Sequence, residues 1–371
     1  MIPALLSRLR AALKALVPAP WWAALRQHCY RRLRRRADRR ENRRVSRADA
    51  PLLVVSESEH AAHAYDHWLA WLETARPSLR GAIRLDRVPG ATARHARVLH
   101  AWVQDPVRER DARLFDALEA LEASLRQRGG RILNPAAVLS HSLRDVMMER
   151  LATVGMGIRL PVVTRLPLDP DERFTPSVYP VIVRPQWGHG VPMEVLADPE
   201  AWRAWRLDPR RDRQPQVLTA FIDVRSPDGL YRKYRYVSFG AQGLPRHLIV
   251  SKNWEVRPKD RVVTAATRQE ELAFVHGETP YADVLERARV ALGFDIAAFD
   301  FSYDAQGALV LWEANPYPDL SPPRGAAAGY LEPVVMATYA ALADYYEQSL
   351  ASAVIAAPTC HGCAGSGQAL P

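Results

Sequence analysis

The chain has 371 residues, 48% hydrophobic and 25% charged, the make-up of an ordinary globular protein long enough for two or three packed lobes. Its cysteines, Cys29, Cys360 and Cys363, exclude a disulfide framework and favour a reducing compartment. No apolar run approaches the ~18 residues a membrane-spanning helix needs. The net charge of +9 is uneven: residues 1–47 hold 14 Arg and Lys against Asp38 and Glu41, or +12, leaving −3 for the other 324 residues. The basic balance belongs to an appendage, and the folded body need not bind nucleic acid.

Residues 1–17 read as a short basic amphipathic helix, with Leu5, Leu6, Leu9, Leu13 and Leu16 on one face and Arg8, Arg10 and Lys14 among the others. Pro18-Ala19-Pro20 breaks it, and Trp21-Trp22 opens a second helix that ends in RRLRRRADRRENRR. Three readings stay open for this arm. It lies on an anionic membrane surface, with Trp at the headgroups; or it binds RNA or an acidic partner; or it is a solvated arm. Charge interrupts its apolar core and no small-residue cleavage site follows, so a secretory signal is not expected. The expected location is cytoplasmic, with a peripheral place at the inner face of the membrane if the first reading holds.

PLLVVSESEH reads as a buried strand leading into a helix that carries His60, His63 and His67 at helical spacing. A metal role for these histidines competes with a plain helix surface, and no carboxylate or cysteine is clearly placed with them. A long helix over 106–128 has Leu114, Leu118, Leu121 and Leu125 as its stripe, ends at Gly129-Gly130, and leads to the short strand RILNP. Alternating helix and strand predict a small α/β lobe with a parallel sheet.

Beyond it, the helix SLRDVMMERLATVG leads to the strand PVVTRL, then to YPVIVRPQWGHGVPMEVL, a strand, a Gly-bearing loop and another strand. QWGHG is no Walker loop, but a hairpin carrying Gly188 and Gly190 after the basic strand residue Arg184 can lie over a triphosphate and offer backbone N–H donors. DPEAWRAW makes a capped helix over 198–206. Residues 216–256 read as an antiparallel meander, with Arg232 and Tyr234 on one face of LYRKYRYVSFG and Tyr231, Lys233 and Arg235 on the other. Helices over 281–292 and 331–350 flank the last strands. Residues 351–371 read as a disordered tail, whose CHGC lacks the context of a haem or redox motif.

The most informative stretch is GFDIAAFDFSYDAQGALVLWEANPYPD, residues 293–319, two strands around a tight turn. If residues 304 and 309 pair, Asp300 lies opposite Glu313. Asp300, Glu313 and Asn315 then share one face, with Phe299, Phe301, Val310 and Trp312 on the other. Facing carboxylates repel, and a cation between them removes the cost. Two carboxylates and an amide oxygen form the hard oxygen set that Mg²⁺ prefers. A solvated acidic hairpin face is the plainer reading.

Together the runs VIVRPQWGHG, FIDVRSPDGLYRKYRYV, LPRHLIVSKNW, EELAF and LGFDIAAFDFSYDAQGALVLWEANPYP resemble the ATP-grasp superfamily over about residues 138–345. The pattern is most similar to the bacterial ATP-grasp-like domain often fused to tetratricopeptide repeats, although no such repeats are visible. The resemblance implies an α/β and α+β chain with the ATP-grasp fold. An N-terminal α/β lobe (49–137) would follow the arm (1–48). Two nucleotide-clasping α+β lobes (138–215 and 216–350) would precede the tail. It implies ATP and Mg²⁺, with Arg144 and Arg184 standing where relatives place two phosphate-binding lysines. Thr219, Ala220, Phe221 and Ile222 would form the adenine hinge, Asp223 would hold the ribose, and Lys233 and Arg235 would face phosphate or an acyl-phosphate. Asp300, Glu313 and Asn315 would hold the metal. The implied activity is ATP-dependent ligation of a small-molecule or peptide carboxylate to an amine or thiol. The alternative is a nucleotide-binding scaffold without catalysis, which the Arg-for-Lys changes favour.

Overall fold

The computed structural model describes residue 32 and residues 36–353, apart from 58, 156, 169–173, 189–192, 209–213 and 323–325. The leucine-faced segment of the arm, Trp21, Trp22, and the tail with Cys360 and Cys363 lie outside the described residues. The described strands form three four-stranded sheets.

The first sheet is parallel, as the alternation of helix and strand predicts, with β1 (Leu52–Ser56), β2 (Ile83–Arg87), β3 (Val98–Trp102) and β4 (Arg131–Leu133) in the order β2-β1-β3-β4. LLVVS and VLHAW are buried at every position, whereas IRLDR alternates, which suits two central strands and an edge. The helix Glu59–Ala75 covers one face through Tyr65, Trp68, Leu69 and Leu72, and the helix Ala112–Arg126 covers the other through Leu114, Leu118, Leu121 and Leu125. Asp111 caps the latter by accepting from the Leu114 amide at 3.0 Å.

Residues 36–45 are helical and lie along the β2 edge. Asp38 pairs with buried Arg87 at 2.9 Å and Glu41 with buried Arg80 at 2.6 Å. Asn42 bonds both the amide and the carbonyl of Leu85, at 3.0 and 2.7 Å. The last part of the expected arm is therefore part of this lobe, because two buried guanidinium groups need its carboxylates.

The second sheet holds β5 (Val163–Arg165), β6 (Val181–Pro185), β7 (Glu194–Leu196) and β8 (Gln216–Ala220), antiparallel in the order β5-β8-β6-β7. The helix Pro199–Leu207 stacks Trp202 and Trp205 against it, their rings 5.4 Å apart. The third holds β9 (Tyr231–Phe239), β10 (Gln242–Ser251), β11 (Ile296–Tyr303) and β12 (Leu309–Asn315), antiparallel in the order β10-β9-β11-β12. One face packs on the helices Arg144–Leu151 and Ala282–Leu292 through Phe299, Phe301 and Leu311. The other packs on the helix Glu332–Ser352 through Val237, Phe239 and Ile296.

Two expectations change here. The meander over 216–256 is divided: β8 stays between β5 and β6, since its buried residues need a neighbour on each side, and only β9 and β10 form a hairpin. The helix Arg144–Leu151, expected with the second lobe, sends Met147, Met148 and Leu151 into the core of the third sheet.

The 293–319 hairpin also differs from simple alternation. Asp304 does not pair with Leu309: its amide donates to the Ala308 carbonyl at 3.0 Å, and its Oδ1 caps the turn, accepting from the amides of Gln306 at 3.0 Å and Ala308 at 2.8 Å. Pairing begins at Tyr303 with Leu309 and runs through Phe301 with Leu311. It then slips by one residue at Trp312, which restores Asp300 opposite Glu313. Val310, opposite Ser302, and Trp312 therefore leave the phenylalanine face assigned to them, and Trp312 Nε1 donates to Ser302 Oγ at 2.8 Å.

Candidate functional site

A cleft of about 240 Å³ lies between the second and third sheets. Part of its lining is apolar: Ile182, Met193, Phe221, Ile222, Val224 and Trp254. The Phe221 and Trp254 rings meet edge to face at 5.8 Å. The charged lining comes from β6, β9, β11 and β12 as Arg184, Lys233, Asp300 and Glu313, together with Glu255 and Arg257, which pair with each other. Flat apolar walls beside concentrated charge suit a ligand with an aromatic body and an anionic tail.

Arg184 shares a strand face with Ile182 and reaches the cleft. Its Nε is buried with no hydrogen-bond partner among the described residues. Burial, reinforced by the Arg144 charge, pushes its guanidinium down to about 9, against the pull of Glu313 and Glu255. It remains a cation at neutral pH in a place that penalises its charge, and an anion in the cleft would remove that penalty.

Arg144 is employed otherwise. Its guanidinium donates to the carbonyls of Pro185 and Gly188, at 2.8 Å each, and so braces the start of the β6–β7 loop. It does not line the cleft. Gly188 has φ of 104°, which suits glycine, while Gly190 lies outside the described residues.

The expected hinge is brought to the cleft in part. Thr219 and Ala220 belong to the β8 ladder, and the Ala220 amide is spent on the Val162 carbonyl at 2.8 Å. Phe221 and Ile222 line the cleft, although the Phe221 amide donates to the Pro180 carbonyl at 3.0 Å. Asp223 does not line it: its carboxylate accepts from the amide and the guanidinium of Arg225, at 2.9 and 3.0 Å.

Lys233 and Arg235 share a β9 face, as alternation requires, and both point to Asp300. Arg235 grips it as a fork, Nε to Oδ1 at 2.6 Å and Nη2 to Oδ2 at 3.0 Å, and Lys233 Nζ stands 3.2 Å from Oδ2. Burial alone would raise the Asp300 carboxyl, but Arg235 and Lys233 outweigh it and hold the group well below the usual carboxylate range. Burial likewise opposes the Arg235 charge, and Asp300 outweighs it and raises the guanidinium.

The expected cation ligands therefore differ in fit. Glu313 is a cleft-lining carboxylate whose charge is felt by Arg144, Arg184 and Arg235. Asn315 follows it on the same strand face, and its Oδ1 accepts from the Tyr317 amide at 2.8 Å, which leaves one lone pair. Both carry hard oxygen donors of the kind a divalent cation prefers. The Asp300 oxygens are engaged by Arg235 and Lys233. Among the described residues no cluster of three or more His, Cys, Asp and Glu could hold a metal. The side chains of His60 and His63 lie outside the description, and His67 is exposed.

Sequence reasoning missed Trp254, Glu255 and Arg257, which follow β10 and line the cleft. Their signal was the run SKNWEVRP, where alternation fails after a strand, but nothing local says that such a segment folds back over a site. Trp312 was missed because the bulge was not legible, and Ser302, two residues from Asp300 on β11, was missed although alternation places it on the same face.

No family model matches the chain, and no curated protein does. Among solved structures it is similar to D-alanine–D-alanine ligase from Bacillus anthracis complexed with ATP, with a TM-score of 0.51 and 12% identity over 81% of this chain and 97% of that chain. A second structure of that ligase gives 0.50 and 13% over the same shares, 81% and 97%. D-cycloserine synthetase DcsG gives 0.48 and 17% over 77% and 99%. With its parallel α/β lobe and two antiparallel sheets, the chain has the ATP-grasp fold.

Proposed function

We propose that the protein is an ATP-dependent ligase that joins a carboxylate to an amine or a thiol through an acyl-phosphate. The observation that carries this reading is the buried, unpartnered Nε of Arg184 at a cleft that also offers flat apolar walls and the Glu313 carboxylate. Phe221, Ile222, Trp254 and Val224 would hold the purine. Arg184 and Lys233 would meet the phosphates. Glu313, with Asn315, would hold Mg²⁺, which when bound neutralises charge on the transferring phosphoryl. This chain's own work is electrostatic: it places cations where phosphate charge develops and keeps water off the apolar wall. The ATP seen with the similar D-alanine–D-alanine ligase supports the nucleotide. The motif runs support a place near the tetratricopeptide-associated group.

A second reading, a nucleotide-binding scaffold without ligase activity, is favoured by Arg144, whose hydrogen bonds brace a loop instead of pointing into the cleft. The test is release of ADP and phosphate from ATP with candidate amino-acid and peptide carboxylates, plus an amine acceptor. Product formation supports the ligase. Nucleotide binding without turnover over a broad carboxylate panel supports the scaffold. The basic arm is proposed to recruit the protein to an anionic surface. Co-sedimentation of the full chain with anionic vesicles, beside an RNA titration, separates a membrane from a nucleic acid.

A further inference from the structure

The third sheet carries a row of polar residues that crosses all four strands. His247 on β10 stands opposite Arg235 on β9, Arg235 opposite Asp300 on β11, and Asp300 opposite Glu313 on β12. At strand spacings of ~4.8 Å the row spans about 14 Å. Asp300 and Glu313 line the cleft, and the His247 end lies beyond it. A bulge builds that far end. The β10 ladder slips between Pro245 and His247, so Arg246 is an extra residue in the strand. Arg246 reaches the segment that follows β12, where its Nη2 donates to the Ser321 carbonyl at 3.1 Å. It is only 4% exposed. That carbonyl is its sole hydrogen-bond partner among the described residues, and no carboxylate pairs with it. Burial opposes its charge, Tyr339 and Asp319 offset this in part, and Arg235 adds repulsion. His247 is half-buried and makes no hydrogen bond among the described residues. Burial, with the Arg235 charge, keeps its imidazole neutral.

We infer that Arg246, with His247, determines substrate specificity by holding an acid group other than the one that reacts, so that the carboxylate substrate is a diacid. This rests on the ligase reading above. A buried guanidinium with one carbonyl partner is a counter-charge short, and a carboxylate meets its fork at two points. The neutral imidazole has one N–H to offer a further carboxylate lone pair. Arg235 does not take this role, because its fork is already closed on Asp300. Nucleotide phosphates would lie in the cleft, towards Arg184 and Lys233, which line it. An anion at Arg246 is therefore a separate group, carried along the row by the length of the substrate. A monoacid reaches one of the two ends and leaves the other empty.

The experiment is isothermal titration of the full chain, saturated with a non-hydrolysable ATP analogue and Mg²⁺. The probes are straight-chain dicarboxylates from succinate to suberate, each beside the monocarboxylate of the same length. Melting curves establish that each variant is folded. At least one dicarboxylate is expected to bind tenfold or more tightly than its monocarboxylate. Arg246→Met is expected to abolish that preference and to leave the affinity for the ATP analogue within twofold. A wild-type chain that binds the analogue but prefers no dicarboxylate overturns the inference and leaves the nucleotide reading intact. So does a preference that survives in a folded Arg246→Met. If that variant does not fold, His247→Ala decides: it is expected to reduce the preference at least threefold, and an unchanged preference overturns the inference. A wild-type chain that binds no analogue overturns the nucleotide reading, and the inference with it.

Discussion

At the scale of single residues, the cleft is governed by where each cation finds its counter-charge. Arg184 is held in a site that disfavours its charge and offers its Nε no partner among the described residues. Arg184→Met should therefore leave the ligand-free melting temperature unchanged or raise it, since a buried cation gives way to an apolar chain of similar length. Nucleotide affinity should fall about 10- to 100-fold, the loss of a charge-assisted phosphate contact worth ~1.5–3 kcal/mol. Isothermal titration with an ATP analogue checks this, and unchanged affinity would remove Arg184 from the phosphate site. Asp300 makes the opposite statement. Its carboxyl is depressed in the fold, so the unfolded chain takes up the proton first as pH falls. The stability it contributes is fully present above about pH 4, the usual carboxyl value, and is lost progressively below it. Asp300→Asn should flatten the acid limb of a melting temperature against pH curve. An acid limb as steep as the wild type would show that Asp300 is not what the fold loses in acid.

At the scale of elements, Arg144 and the 293–319 hairpin show how a loop and a register are set. Arg144 reaches two carbonyls on the segment leaving β6, a geometry only its planar fork meets. Arg144→Lys keeps the charge but lacks the two separate nitrogens that reach Pro185 and Gly188, and the cost expected is about 1–3 kcal/mol, read as a lower melting temperature. If the residue served phosphate instead, lysine would preserve stability and the loss would appear in nucleotide affinity alone. In the hairpin, the facing of Asp300 and Glu313 was legible in the sequence, but the assumed ladder was not the real one. Asp304 bonds Ala308 and two turn amides where pairing with Leu309 was expected, and the bulge at Trp312 returns the register. Period-two alternation locates faces, and it carries no mark of a one-residue slip.

At the scale of the whole molecule, the three sheets are joined by polar side chains that reach between lobes. Asn134, after β4, bonds the carbonyls of Ile296 and Pro316 at 2.9 Å each and so ties the first sheet to β11 and to the residue that follows β12. Among the described residues no helix is long and apolar enough to cross a membrane. The segment 36–47 belongs to the folded body. A chain beginning at Asp49 loses Asp38 and Glu41 and leaves Arg87 and Arg80 buried without them. It should be destabilised by at least ~3 kcal/mol relative to one beginning at Arg36, the usual cost of removing one partner of a buried pair. Paired thermal melts of the two chains check this, and equal melting temperatures would return the segment to the arm.

The sequence by itself determined the parallel first lobe, the basic face of β9, and the facing of Asp300 with Glu313. These rest on local periodicity and residue type, which neighbours in the chain are enough to express. Only the tertiary structure decided that β8 stays with β5 and β6, and that Arg144 braces a loop while Arg184 faces the cleft. It alone showed that Arg235 occupies Asp300, and that the run after β10 closes over the site. The reason is common to all of these. A long cationic side chain, or a strand with two free edges, has several partners of equal local plausibility, and packing between elements distant in the chain selects among them.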